Sequence, residues 1–172
     1  MRIIVSDSSC LIDLRKTSLL EIFLKLPFEI LIPNTLFEDE LLKFSPAQKR
    51  GLVEGGLRVV DVPGTGVLRA QEVIRASSRL SISDAFAFVV AESHPGSVLV
   101  TGDGELRDLA TKHDIEVHGM LWIVDQIHEN LLRSANAIAT ALRILEEDAS
   151  VRLPRRELLV SIRRYEALAR RR

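Results

Sequence analysis

The chain contains a single cysteine, Cys10, which rules out an internal disulfide and any CxxC pair of zinc ligands. A lone cysteine in a chain of this kind reads as a small buried hydrophobe and fits a reducing compartment. The histidines His94, His113, His118 and His128 fall in no HxxxH or HExxH spacing, so they read as surface or turn residues rather than zinc ligands. No G-x-S-x-G elbow is present, which argues against a serine hydrolase. The stretches "PGTG" and "TGDG" lack the phosphate-loop lysine and the full dinucleotide fingerprint, and read as turns. Apolar runs stay well short of the roughly 20 residues that span a bilayer. The opening "MRIIVSDSSCLIDL" enters an apolar segment at once, and Ser6-Asp7 interrupts it too early for a secretory h-region, so the expected location is the cytoplasm, away from membranes. Internal repeats and low-complexity segments are also missing.

What is present is a chain of 172 residues, 47% apolar and 27% charged, which predicts one soluble globular domain with a tail. The net charge of −1 hides a strong asymmetry. Residues 152–172 carry eight arginines (152, 155, 156, 163, 164, 170, 171 and 172) against Glu157 and Glu166, so that stretch is +6 and the remainder −7. Such a basic end is either a solvated helix face or a nucleic-acid contact, for which Arg155, Arg156, Arg163 and Arg164 are the candidates.

Short apolar runs suited to buried strands occur at "RIIV" (2–5), "FEILI" (28–32), "LRVVDV" (57–62), "SVLVT" (97–101) and "IEV" (115–117). Helical patterns alternate with them, and "SP", "GG", "PGTG", "HPG" and "GDG" read as turns between elements. The alternation predicts a mainly parallel five-stranded sheet covered on both faces, followed by the helical patterns "MLWIVDQIHENLL", "ANAIATALRILEEDA" and "PRRELLVSIRRYEALARRR". Trp122, in the first of these, reads as core rather than as a platform for a base.

Ligands of parallel sheets bind beyond the carboxyl ends of the strands. Asp7 and Asp103 each stand where a buried strand passes into a helix, and each could equally be a helix cap. Asp84 belongs to Ser81-x-x-Asp84, a capping box, yet the helix it opens is apolar almost all round, which predicts a largely desolvated rim. In "IPNTLFEDELLKF" (32–44), read as one amphipathic helix, Thr35-x-x-Glu38 is a second capping box and Asp39 faces solvent. Glu40 falls within the apolar stripe of Leu36, Phe37, Leu41 and Phe44. Four carboxylates brought together at roughly 5 Å would repel pairwise by about 3 kcal/mol at an effective dielectric near 20. A hard divalent cation, Mg2+ or Mn2+, removes that repulsion and brings phosphate chemistry with it.

In order and spacing, "IIVSDSSCLIDL", "IPNTLFEDEL", "LSISDAFAFVVA" and "VLVTGDGELRDLA" resemble the four acidic motifs of PIN-domain nucleases over about residues 1–130. The resemblance implies a three-layer α/β/α PIN-like fold over 1–130 with a helical, Arg-rich extension over 131–172. It also implies metal-dependent ribonuclease activity, as in the VapC toxins of bacterial toxin-antitoxin pairs. By position it makes Asp7, Glu40, Asp84 and Asp103 the catalytic and metal-binding acids, with Ser9 supporting the first aspartate and Thr101 as the Thr of a Thr-x-Asp motif. Mg2+ or Mn2+ as cofactor, RNA as substrate, an antitoxin protein as partner and a homodimer follow from the same likeness. Typical VapC toxins end soon after the fifth strand and its helix, whereas this chain runs on for about forty residues.

Two other families place an aspartate near a strand end. Haloacid-dehalogenase-type phosphatases need a second aspartate where Ser9 stands, and receiver domains need a phospho-acceptor after the third strand and a lysine after the fifth, neither of which is convincing here. A different class of function is also compatible with the motifs: a PIN-like module that binds RNA or protein without turnover. All four acids being present favours the enzyme.

Overall fold

The computed structural model describes residues 1–171, leaving only Arg172 of the basic end outside the described residues. Five parallel strands form one sheet in the order β3-β2-β1-β4-β5: β1 (Arg2–Ser6), β2 (Phe28–Pro33), β3 (Leu57–Val60), β4 (Val98–Val100) and β5 (Glu116–His118). Each corresponds to one of the apolar runs. Ile4, Val5, Ile30, Ile32, Val98, Leu99 and Val100 are buried, as parallel strands covered on both faces must be. Helices flank the sheet on both sides in a three-layer α/β/α arrangement.

Between β1 and β2 run α1 (Ser8–Arg15) and α2 (Leu20–Phe23), so the single helical pattern that "SCLIDLRKTSLLEIFLKL" presents is two helices rather than one. After β2 comes α3 (Asn34–Asp39), much shorter than the helix expected over 32–44. The Thr35–Glu38 capping box is not formed. Pro33 occupies the cap, which leaves Thr35 inside the helix with its buried Oγ1 unpartnered, and Glu38 pairs instead with Lys49. Leu36, Phe37, Leu41 and Phe44 are nonetheless all buried, so the apolar stripe survives the end of the helix.

Helix α4 (Pro46–Glu54) is absent from the expected pattern, because "SP" reads as a turn. Ser45 is in fact its N-cap, closed by a capping box with Gln48, and Pro46 is the first helical residue, where its missing N–H costs nothing. Similarly, the glycines of "PGTG" begin α5 (Gly64–Ala76). Then follow α6 (Ile82–Glu92), α7 (Gly104–Lys112), α8 (Met120–Glu129), α9 (Ala135–Glu147) and α10 (Arg155–Ala169).

The last two helices share the core of the sheet. Ile138, Leu142, Leu145, Leu158, Ile162 and Tyr165 are buried and continuous with it. The α10–α8 contact has a polar clasp. Tyr165 Oη donates to Asp125 Oδ1 at 2.6 Å, Arg164 pairs with the same carboxylate, and His128 meets the Tyr165 ring edge-on at 5.2 Å. His128 is thus half-buried beneath α10 rather than a free surface residue.

The strand order fixes where a ligand can sit. The chain builds outward from β1 through β2 to β3, then returns to place β4 on the other side of β1. This makes the β1/β4 boundary the topological switch point, where adjoining loops diverge and leave a crevice. Ser6 pairs with Val100 across that boundary, and Asp7 N donates to Val100 O at 3.0 Å, so Asp7 and the 101–103 turn emerge side by side.

Candidate active site

Asp7 is the N-cap of α1 and also the floor of the crevice, only 6% exposed. Its Oδ1 accepts from Ser9 Oγ at 2.7 Å and from Cys10 N at 3.1 Å, and its Oδ2 accepts from Thr101 Oγ1 at 2.5 Å. The cap and the site are therefore one group, since the donors of a helix N-terminus that satisfy a cap also hold a carboxylate in place. Burial pushes the Asp7 carboxyl above its ordinary range. The bonds from Thr101, Ser9 and Cys10 N pull it back, and Asp84 raises it further. Cys10 beside it is buried, and its thiol is pushed well up by burial and by Asp7, which keeps it a protonated hydrophobe.

Thr101, fully buried at the end of β4, also accepts from Asp103 N at 3.0 Å, so one hydroxyl ties the β4 turn to Asp7. Asp103 caps α7, accepting from Leu106 N at 2.8 Å, and is exposed. Asp84 forms the expected capping box with Ser81, whose N and Oγ donate to its Oδ2 at 2.9 and 2.7 Å. It is half-buried, less desolvated than the apolar helix behind it suggests, because it lies on the first turn, where α6 leaves the core.

Glu40 stands one residue past α3, as its C-cap, and is half-buried while Glu38 and Asp39 are exposed. Its carboxylate turns inward to accept from Ser8 Oγ, on the first turn of α1 next to Asp7. The helix-face argument thus picks the one acid of the three that turns inward to the cavity, although the helix stops before it, because buried Leu41 keeps the chain on the same course.

Asp7, Glu40, Asp84 and Asp103 line a single cavity of about 610 Å3, together with Ser9 and Thr101. Among the described residues none of the four acids lies in an ion pair, and no group of three or more His, Cys, Asp or Glu side chains is drawn together tightly enough to hold an ion. The four share a cavity rather than a coordination sphere. Each spends an oxygen on a nearby donor, an arrangement that like-charge repulsion favours.

Several further residues line this cavity that the sequence did not single out: Ser8, Asp13, Arg107 and Arg152, with Glu157 at the start of α10. Arg107 was the most findable, since it stands one helical turn after Asp103, on the same face of α7. Arg152 lies in the connection between α9 and α10, whose path back over the site has no local sequence signal. Trp122 also lines the cavity, so it is a wall residue and not simply core. One face of its indole is stacked on His118, with centroids 4.6 Å apart and planes 5° from parallel. By contrast, Arg155, Arg156, Arg163 and Arg164 do not line it. Arg164 is committed to Asp125 and Arg155 comes within 3.9 Å of Glu146, while Arg156 and Arg163 are exposed on α10.

With the acids of four separate motifs around one crevice, a comparison with known families becomes decisive. A family model for the PIN domain matches residues 3–166. The chain belongs to the PIN-domain family. The match runs past residue 130 and into α10, so α9 and most of α10 fall within the PIN-domain span. No curated protein sequence matches the chain.

PIN domains are in general nucleases that use divalent metals, and the donor set here fits such an ion in kind. All four candidates are hard oxygen ligands of the sort Mg2+ and Mn2+ prefer. A buried carboxylate held above its ordinary range, with no cationic partner among the described residues, is also the group a cation would stabilise most. Asp7 would hold the ion from the floor of this PIN-domain cavity, and Glu40, Asp84 and Asp103 from its walls.

Proposed function

We propose that this PIN domain is a metal-dependent ribonuclease, hydrolysing RNA phosphodiester bonds with Mg2+ or Mn2+ held by Asp7, Glu40, Asp84 and Asp103. The observation that carries this reading is the gathering of acids from four sequence-distant motifs around one cavity at the β1/β4 switch point, the most buried of them lacking a cationic partner. A bound cation there supplies a water of lowered pKa and neutralises charge on the phosphoryl oxygens. The chain's own part is orientation. Thr101 and Ser9 fix both oxygens of Asp7, and Ser8 holds Glu40 toward the same crevice.

A finer form of the proposal is the toxin of a type II toxin-antitoxin pair, working as a homodimer with an antitoxin partner. A small adjacent gene encoding a DNA-binding fold supports it, and its absence favours a housekeeping nuclease. Exposed arginines of α10, among Arg155, Arg156, Arg163 and Arg164, would add sequence-independent, salt-sensitive affinity for the RNA backbone.

One observation favours a second reading, a module that binds RNA without cleaving it: no three acids are drawn together at ion-binding distance among the described residues. Cleavage of single-stranded and structured RNA by the purified protein, with Mn2+ or Mg2+ and with chelator, separates the two. The nuclease reading expects metal-dependent cleavage that falls by about 10²–10³-fold in Asp84→Asn, the loss of several kcal/mol of transition-state stabilisation. The amide can still accept from Ser81, which preserves the cap. Equal cleavage by wild type and variant removes Asp84 from the chemistry. Binding by both without cleavage leaves the module.

A further inference from the structure

The cavity poses an electrostatic difficulty for the substrate assigned to it. Its lining carries six carboxylates, on Asp7, Asp13, Glu40, Asp84, Asp103 and Glu157, and RNA brings a negative charge with every nucleotide. A cation at the catalytic acids offsets the charge at the scissile phosphate but not at its neighbours. Two lining residues are cationic, and they come from different elements: Arg107 on α7 and Arg152 on the 148–154 connection. Arg107 is partly engaged, its Nη1 donating to Thr101 O at 3.3 Å. Arg152 is exposed, and among the described residues no carboxylate pairs with it, even in so acidic a setting.

The connection that carries Arg152 is held at both ends and in the middle. Asp148 Oδ1 accepts from Ser150 N at 2.8 Å and from Ser150 Oγ at 2.6 Å, closing a tight turn at the end of α9. Lys16, on the residue after α1, donates to Ser150 Oγ at 2.8 Å and reaches Asp148 and Asp13 at 3.4 Å each. It therefore fastens the connection to the helix that starts at Asp7. On either side of Arg152, half-buried Val151 and Leu153 pack against the core, and Pro154 fixes the entry to α10. With its backbone so held, Arg152 has only its side chain left to order on binding, and its planar guanidinium suits the two oxygens of a phosphate.

We propose that residues 148–154 form a substrate strap, in which Arg152 takes an RNA phosphate next to the scissile one and Lys16 latches the strap over the catalytic cavity. This rests on the reading of the cavity as an RNA-cleaving centre. It adds a positioning residue outside the acidic motifs and a substrate preference. With the strap across one side, a cavity of about 610 Å3 has the dimensions of a small-ligand pocket and admits a nucleotide or two of an unpaired strand, not a turn of duplex.

The test is the salt dependence of binding of a labelled single-stranded oligoribonucleotide by fluorescence anisotropy, in Mg2+ and in an Asp84→Asn background that suppresses turnover. Arg152→Gln is expected to weaken binding about tenfold and to reduce the slope of log K against log salt by about 0.7, the contribution of one phosphate contact on a single strand. Arg152→Lys should restore the slope and part of the affinity. Arg50→Gln, an exposed arginine of α4 away from the cavity, should change neither. An unchanged slope in Arg152→Gln, an equal loss in Arg50→Gln, or no binding of the oligonucleotide at all overturns the strap. Cleavage by the protein with Asp84 intact is scored separately. A slope change without cleavage keeps the strap and removes the nuclease, and cleavage without a slope change does the reverse.

Discussion

Asp7→Asn should abolish RNA cleavage, by about three orders of magnitude, and at the same time raise the melting temperature of the metal-free protein by roughly 2–4 °C, the equivalent of about 1 kcal/mol for a chain of this size. The activity loss follows from removing the most buried candidate ligand of the cation. The stability gain follows from the direction of its ionisation. Burial holds the Asp7 carboxyl above its ordinary value of 3.8, so between that value and the raised one the folded protein binds a proton that the unfolded chain does not. Stability therefore falls as pH rises through this window, and above it the folded state carries a buried charge with no cationic partner among the described residues. An asparagine removes the charge and keeps the contacts. Its Oδ1 can accept from Ser9 and Cys10 N, and Thr101 can accept from its Nδ2 in place of donating. The difference between variant and wild type should shrink as pH falls from the raised value toward 3.8 and vanish below it, where Asp7 is neutral in the folded and the unfolded chain alike. Thermal melts across pH check this. A destabilised Asp7→Asn at neutral pH would mark Asp7 as a structural cap alone.

Tyr165→Ala should cost about 3–5 kcal/mol, the usual range for deleting a buried aromatic ring, and lower the melting temperature by on the order of 10 °C in a single transition. Tyr165 is 1% exposed and bridges α10 to α8, with its hydroxyl on Asp125 and its ring against His128. Burial and Asp125 push its hydroxyl far above the usual phenol range, so it stays a donor. Tyr165→Phe should lose less, since the ring remains and only one bond to a charged acceptor goes. The single transition is the informative part. The residues of α9 and α10 belong to the same buried cluster as the sheet, so their loosening should be felt throughout. If calorimetry instead shows a main transition that does not move and a separate early one, α9 and α10 melt as a unit of their own, behind a boundary near residue 130.

Much of this was readable from the sequence, for identifiable physical reasons. Strands buried on both faces leave unbroken apolar runs, so β1, β2 and β4 stand out, and the acids just past β1 and β4 are placed by the chain itself. The apolar stripe around Glu40 sets it apart from Glu38 and Asp39, because the stripe depends on side-chain direction and not on where the helix ends. What failed was local. Thr35 and Glu38 have the residues of a capping box, but Pro33 takes the cap position, and "SP", which reads as a turn, marks the start of α4. What stayed hidden was non-local. Arg152 reaches the cavity because α9 and α10 pack back on the core and Lys16 ties down the connection between them, contacts that span more than a hundred residues and leave no periodic signal. Asp13 and Trp122 line the cavity for the same kind of reason, through the packing of α1 and α8 beside the switch point.

The claim on which the rest depends is that these carboxylates form a cation site although they stand apart as hydrogen-bonded caps. Calorimetric titration of Mn2+ into the purified wild-type protein and into Asp7→Asn tests it most directly. The prediction is saturable binding by wild type, near one or two ions per chain, weakened at least tenfold in the variant. Equal binding by both proteins, or none by wild type, would contradict it.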